Sequence, residues 1–133
     1  MNPDEITLGR QLTATYEGCQ LQPLGSASLL LGILRAGLRA GGFNEVSVHM
    51  HEFAPHGVTC VVILEESHLV AHSWPEHSVL LIDLFACSST ASPEAALEHV
   101  EEALGCIGVT IEDATRSISP PAKINRDTSA LPS

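Results

Sequence analysis

The chain has 133 residues, is 44% hydrophobic and carries a formal net charge of −10, which suits one domain with a real core. Six lysines and arginines in all argue against a nucleic-acid partner, which needs a basic patch. No apolar run reaches the roughly 20 residues of a membrane span, and Met1-Asn2-Pro3-Asp4-Glu5 lacks the basic and apolar regions of a signal peptide, so no membrane and a cytoplasmic location are expected.

In chain order, residues 8–18 alternate in part, with Leu12, Ala14 and Tyr16 on one face, and read as a strand. The stretch from Pro23 to Ser28 breaks the chain. Ser26 or Ser28 then caps a helix beginning near Leu29, whose apolar stripe is Leu30, Ile33, Leu34, Gly37 and Leu38, and Gly41-Gly42 ends it. Residues 45–52 alternate again, with Val46, Val48 and Met50 facing one way and Ser47, His49 and His51 the other. After a turn at Pro55-His56-Gly57 come three β-rich runs, 58–64, 68–74 and 79–87, the last two separated by a turn at Pro75. Ser92-Pro93-Glu94 starts a helix with Leu97, Val100 and Leu104 on its buried face, Gly105 stops it, and 107–113 is a last strand. Two helices on one face of a mostly antiparallel sheet make an α+β fold, a two-layer α/β sandwich. The domain is expected over 1–116, with 117–133, rich in serine and proline, as a flexible tail.

The four cysteines, Cys19, Cys60, Cys87 and Cys106, form no CxxC pair and read as free thiols in a reducing compartment. His49 and His51 share a strand face, and His68, His72 and Glu76 recur every four residues. On a helix that second set would resemble a metal site, but β-branched neighbours and Pro75 argue for a strand, so no metal is expected.

The informative segment is 65–87, with Glu66-Ser67-His68, then His72-Ser73-Trp74-Pro75-Glu76, then Asp83-Leu84-Phe85-Ala86-Cys87. These elements, in this order and spacing, resemble the processing and catalytic segment of the prokaryotic S-adenosylmethionine decarboxylases. The resemblance extends upstream through Leu8-Gly9-Arg10, His51-Glu52-Phe53 and Gly57-Val58-Thr59, so it covers residues 7–113. It implies a proenzyme that cuts itself between Glu66 and Ser67 into residues 1–66 and 67–133, and turns Ser67 into a pyruvoyl group. That group is the cofactor, and its carbonyl forms a Schiff base with the substrate amine.

Each role follows the match. His72 is the proton acceptor of processing, a task that suits imidazole near neutral pH. Thr59 stands where the family commonly has serine, whose hydroxyl assists the ester intermediate. Cys87 is the proton donor of catalysis. Phe53 and Trp74 sandwich the adenine, and Glu76 accepts hydrogen bonds from the ribose. The resemblance further implies a homo-oligomer of processed protomers, with substrate near the interface, and a product that donates aminopropyl groups for spermidine synthesis. A tyrosine frequent in the family after Trp-Pro-Glu is absent here, where the chain reads His77-Ser78-Val79-Leu80. A pyruvoyl-dependent arginine or ornithine decarboxylase of the same descent is therefore the alternative, and an unprocessed homologue that partners an active copy is a third reading.

Overall fold

A computed structural model describes residues 4–65, 67–87 and 90–119. The strands are β1 (Ile6–Glu17), β2 (Glu45–Glu52), β3 (Val58–Leu64), β4 (Ser67–Trp74), β5 (Val79–Ala86) and β6 (Gly108–Ile118). The helices are a four-residue turn α1 (Leu21–Leu24) and the longer α2 (Ala27–Ala40) and α3 (Pro93–Leu104). The strands form one sheet in the order β2-β3-β4-β5-β1-β6, and every neighbouring pair is antiparallel. This is the expected two-layer α+β sandwich, with all of its pairings antiparallel rather than most.

Alternation decides which side chains face the helices. Leu12, Ala14 and Tyr16 of β1, Cys60 and Val62 of β3, Leu69 and Ala71 of β4, and Leu80, Ile82 and Leu84 of β5 are buried. They form a single core with Leu30, Leu34 and Leu38 of α2 and Leu97, Val100 and Leu104 of α3. The Tyr16 hydroxyl donates to the Leu97 carbonyl at 2.9 Å, so its polar end is satisfied inside the core. The alternate residues, including Thr13, Thr59, Val61, Val70, His72, Leu81 and Phe85, are only half-buried. They line a second, open face that no described helix covers.

Several boundaries differ from the sequence expectation. Helix α2 starts at Ala27, because the Ser26 hydroxyl accepts the Leu29 N–H at 3.3 Å. Val46 is 61% exposed rather than facing the core. The pairing of β2 with β3 shifts register between Glu45 and Ser47, so Val46 is the extra residue of a bulge. Strand β6 runs on to Ile118 by pairing with Ile6 and Thr7, so it takes in the first two residues assigned to the tail. Residues 120–133 of that tail lie outside the described residues.

Candidate active site

The hairpin between β2 and β3 turns through residues 53–57, and the Phe53 N–H donates to the Gly57 carbonyl at 2.8 Å, closing the loop at its neck. Gly57 has a φ of 108°, and a side chain there would also meet the Ser73 carbonyl at 3.3 Å. Glycine suits both constraints. At the far end of β4, a 3₁₀ turn at Pro75–His77 carries Glu76 and closes with Ser78 at a φ of 55°. Between these two turns lies a pocket of about 350 Å³ lined by Phe53, His56, Gly57, Thr59, His72, Ser73, Trp74 and Glu76, within the range of small-molecule sites.

Phe53 and Trp74 are 51% and 46% exposed, unusually open for large aromatics unless they are contact surfaces. The His51 ring stands edge-on to Phe53, with centroids 4.5 Å apart. Thr59 and His72 face each other across the β3–β4 ladder, and Thr59 Oγ1 lies 3.0 Å from His72 Nδ1. The contact engages Nδ1 and leaves the other ring nitrogen outside the Thr59 bond. Ser73 points the opposite way. Its hydroxyl accepts the Val58 N–H at 2.9 Å and donates to the Leu24 carbonyl at 2.7 Å, so it locks β4 to β3 and to α1 under the pocket.

Ser67 is not part of this cluster. It opens β4 opposite Leu64, and its hydroxyl donates to the Glu65 carbonyl at 3.4 Å. Glu66, on the other side of the expected cut, lies outside the described residues. His72 lies five residue steps along the strand from Ser67, about 16 Å at the usual rise, and an odd spacing puts the two on opposite faces. Cys87 follows the end of β5, at the same end of the sheet as Ser67, since His68 pairs with Phe85. Of the four cysteines it is the exposed one. Burial pushes the Cys19 thiol up to about 11 and raises Cys60 as well, which makes those two unreactive as thiolates.

The expected site residues therefore fall into two groups. Thr59, His72, Phe53, Trp74 and Glu76 meet at one pocket, and Ser67 and Cys87 sit at the opposite sheet end. Besides Gly57, which shapes the loop, two pocket residues with polar side chains were not singled out in the sequence. His56 was read only as the middle of a turn, and Ser73 only as one letter of a motif. The four-residue recurrence of His68, His72 and Glu76 scatters, because His68 stacks on Phe85 with centroids 6.0 Å apart while His72 pairs with Thr59. Among the described residues no group of three His, Cys, Asp or Glu side chains is arranged to hold a metal ion.

Comparison with known proteins gives a consistent result. The sequence profile described as S-adenosylmethionine decarboxylase matches residues 10–117. An S-adenosylmethionine decarboxylase proenzyme of Thermotoga petrophila is 37% identical over 98 residues, 74% of this chain and 75% of its own length. S-adenosylmethionine decarboxylase proenzyme 2 of Halalkalibacterium halodurans is 36% identical over 116 residues, covering 86% of this chain and 90% of that one. The crystal structure of the adenosylmethionine decarboxylase from Aquifex aeolicus superposes with a TM-score of 0.79 at 24% identity, over 87% of this chain and 96% of that one, a likeness of fold. On the length of the profile match and the identity to these relatives, the chain belongs to the S-adenosylmethionine decarboxylase family.

Proposed function

We propose that this protein is a self-processing, pyruvoyl-dependent decarboxylase of S-adenosylmethionine whose product serves as the aminopropyl donor for spermidine synthesis. The observation that carries this reading is the pocket in which two exposed aromatics and Glu76 surround the Thr59–His72 pair. Flat walls suit a purine, a carboxylate suits the vicinal hydroxyls of a ribose, and electron-rich rings suit a sulfonium. A basic amino acid such as arginine or ornithine would leave both rings without a purpose.

In processing, the Ser67 hydroxyl attacks the Glu66 carbonyl carbon, and the peptide C–N bond gives way to an ester. A base then takes the Ser67 α-proton, the ester oxygen departs with the Glu66 carboxylate, and a dehydroalanine remains at residue 67. Tautomerisation and hydrolysis, with loss of ammonia, leave a pyruvoyl group. The position of Ser67 fits this change, because it is the first residue of β4, paired with Leu64 at the end of the β3–β4 ladder, so a cut before it leaves the rest of the ladder intact. Once formed, the group supplies a carbonyl that condenses with the substrate amine and takes up the electrons released with CO₂. In turnover Phe53 and Trp74 hold the base, Glu76 the sugar, and Cys87 returns a proton to the substrate Cα.

His72 of the same copy lies too far from Ser67 to act as that base. The open sheet face supports a two-copy solution. A half-buried sheet face that carries Val61, Val70, Leu81 and Phe85 among its polar side chains is suited to being covered, and a two-fold dimer packed through it would set the Ser67 and Cys87 end of one copy over the Thr59 and His72 end of the other. Intact mass spectrometry of purified protein tests the proposal. Two fragments breaking between residues 66 and 67, the second blocked to Edman degradation, together with CO₂ release from S-adenosylmethionine but not from arginine or ornithine, are expected. A single full-length mass after prolonged incubation would refute it.

A further inference from the structure

The 53–57 loop brings one more group to the pocket. His56 Nε2 lies 3.7 Å from Glu76 Oε1, with the two side chains 46% and 42% exposed. That is ion-pair distance, and a small movement makes it a hydrogen bond. Among the described residues, His56 is the basic side chain within ion-pair reach of Glu76. The two residues come from different elements, a hairpin loop pinned by the Phe53–Gly57 bond and the 3₁₀ turn after Trp74. Both line the pocket that Phe53 and Trp74 also line.

We infer that His56 is a positioning residue: it holds one oxygen of the Glu76 carboxylate and leaves the other to receive the sugar hydroxyls of a bound nucleoside. This rests on the nucleoside reading of the pocket and deepens it. A half-exposed glutamate on a three-residue turn rotates freely, and ordering it on binding costs affinity. An imidazole already at Oε1 removes part of that cost before the ligand arrives. His56 thus acts on the sugar end of the ligand and leaves the base end to Phe53 and Trp74.

Trp74 is the chain's single tryptophan, so its fluorescence reports occupancy of the pocket without turnover. Processed wild-type protein, His56→Ala, His56→Gln, Glu76→Gln and the His56→Ala/Glu76→Gln double variant are titrated with adenosine and with adenine. His56→Ala is expected to weaken adenosine binding about fivefold, the scale of a half-exposed ion pair, while adenine changes by less than about twofold. His56→Gln, which keeps an N–H donor, recovers most of the loss. The double variant binds adenosine no more weakly than Glu76→Gln alone. In turnover the KM of His56→Ala for S-adenosylmethionine rises by a similar factor and kcat does not fall with it. Adenosine binding that His56→Ala leaves unchanged, or a loss that adds in full to that of Glu76→Gln, overturns the inference and leaves the pocket reading standing. Wild-type protein whose Trp74 fluorescence answers to neither adenosine nor S-adenosylmethionine overturns both.

Discussion

Thr59 carries a methyl group that serine would not, and the methyl restricts its χ1 rotamer. The rotamer present turns Oγ1 toward the imidazole, 3.0 Å from His72 Nδ1. Replacing Thr59 by valine keeps the shape and removes the hydroxyl, so self-cleavage is expected to slow at least tenfold, whereas His72→Ala should slow it about 10²- to 10⁴-fold, the usual contribution of a general base. Thr59→Ser should process within about threefold of wild type, since the hydroxyl that orients the imidazole is retained. The decay of the full-length band on a denaturing gel measures all three. At this scale the sequence was most informative where a residue belongs to the matched motif, since Thr59, His72 and Trp74 do meet at one pocket. It was silent at His56, because a histidine between proline and glycine has no periodic neighbours to give it a direction. Only the loop closure shows that it meets Glu76.

Among the elements, α2 and α3 meet at close range. A Cβ added at Gly37 would lie 2.8 Å from Val100 Cγ2 and 2.9 Å from the Ala96 carbonyl oxygen, and a backbone atom cannot swing aside. Gly37→Ala should therefore push the helices apart and cost about 1–3 kcal/mol, read from the urea midpoint. Gly9 and Arg10, which entered as letters of a motif, have comparable reasons. A Cβ at Gly9 would meet Phe85 Cζ at 2.7 Å, and the Arg10 guanidinium joins Glu94 of α3 to Asp113 of β6. That guanidinium holds the Glu94 carboxyl below its ordinary range. A lowered folded value means that the unfolded state binds the proton first, so the pair stabilises above the ordinary carboxylate range and loses that effect as pH falls through the lowered value. Because both side chains are partly exposed, Glu94→Gln should cost less than about 1 kcal/mol at neutral pH. The deficit should close when the midpoints are compared near pH 3. Helix and strand periodicity made these elements legible in the sequence. The bulge at Val46 was not legible, because alternation continues unbroken in the letters while the ladder slips by one.

For the whole molecule, the separation of Ser67 from His72 is the decisive quantity. If each site draws Ser67 from one copy and His72 from the other, a mixture of Ser67→Ala and His72→Ala chains forms hybrid dimers with one complete site. Neither variant should cut alone. After the two are unfolded and refolded together, cleavage should appear, and only in the His72→Ala chain, as distinguished by mass. No cleavage in the mixture would place the base elsewhere. The two-layer architecture was legible in the sequence, but this division was not. Motif spacing along a strand gives distance without saying which face, or which copy, a side chain serves.

The strand order β2-β3-β4-β5-β1-β6 also bears on what the cut leaves behind. Strands β1, β2 and β3 belong to residues 1–66 and strands β4, β5 and β6 to residues 67–133, so the β3–β4, β5–β1 and β1–β6 ladders each join two different polypeptides once the peptide is broken. The fragments are woven through one sheet and stay together without a covalent link. Their return from denaturant becomes a meeting of two chains, with a rate that rises with concentration, while an uncut Ser67→Ala chain returns at a rate independent of it. Processing would thus make the protein a one-time fold, assembled while still continuous and hard to rebuild afterwards.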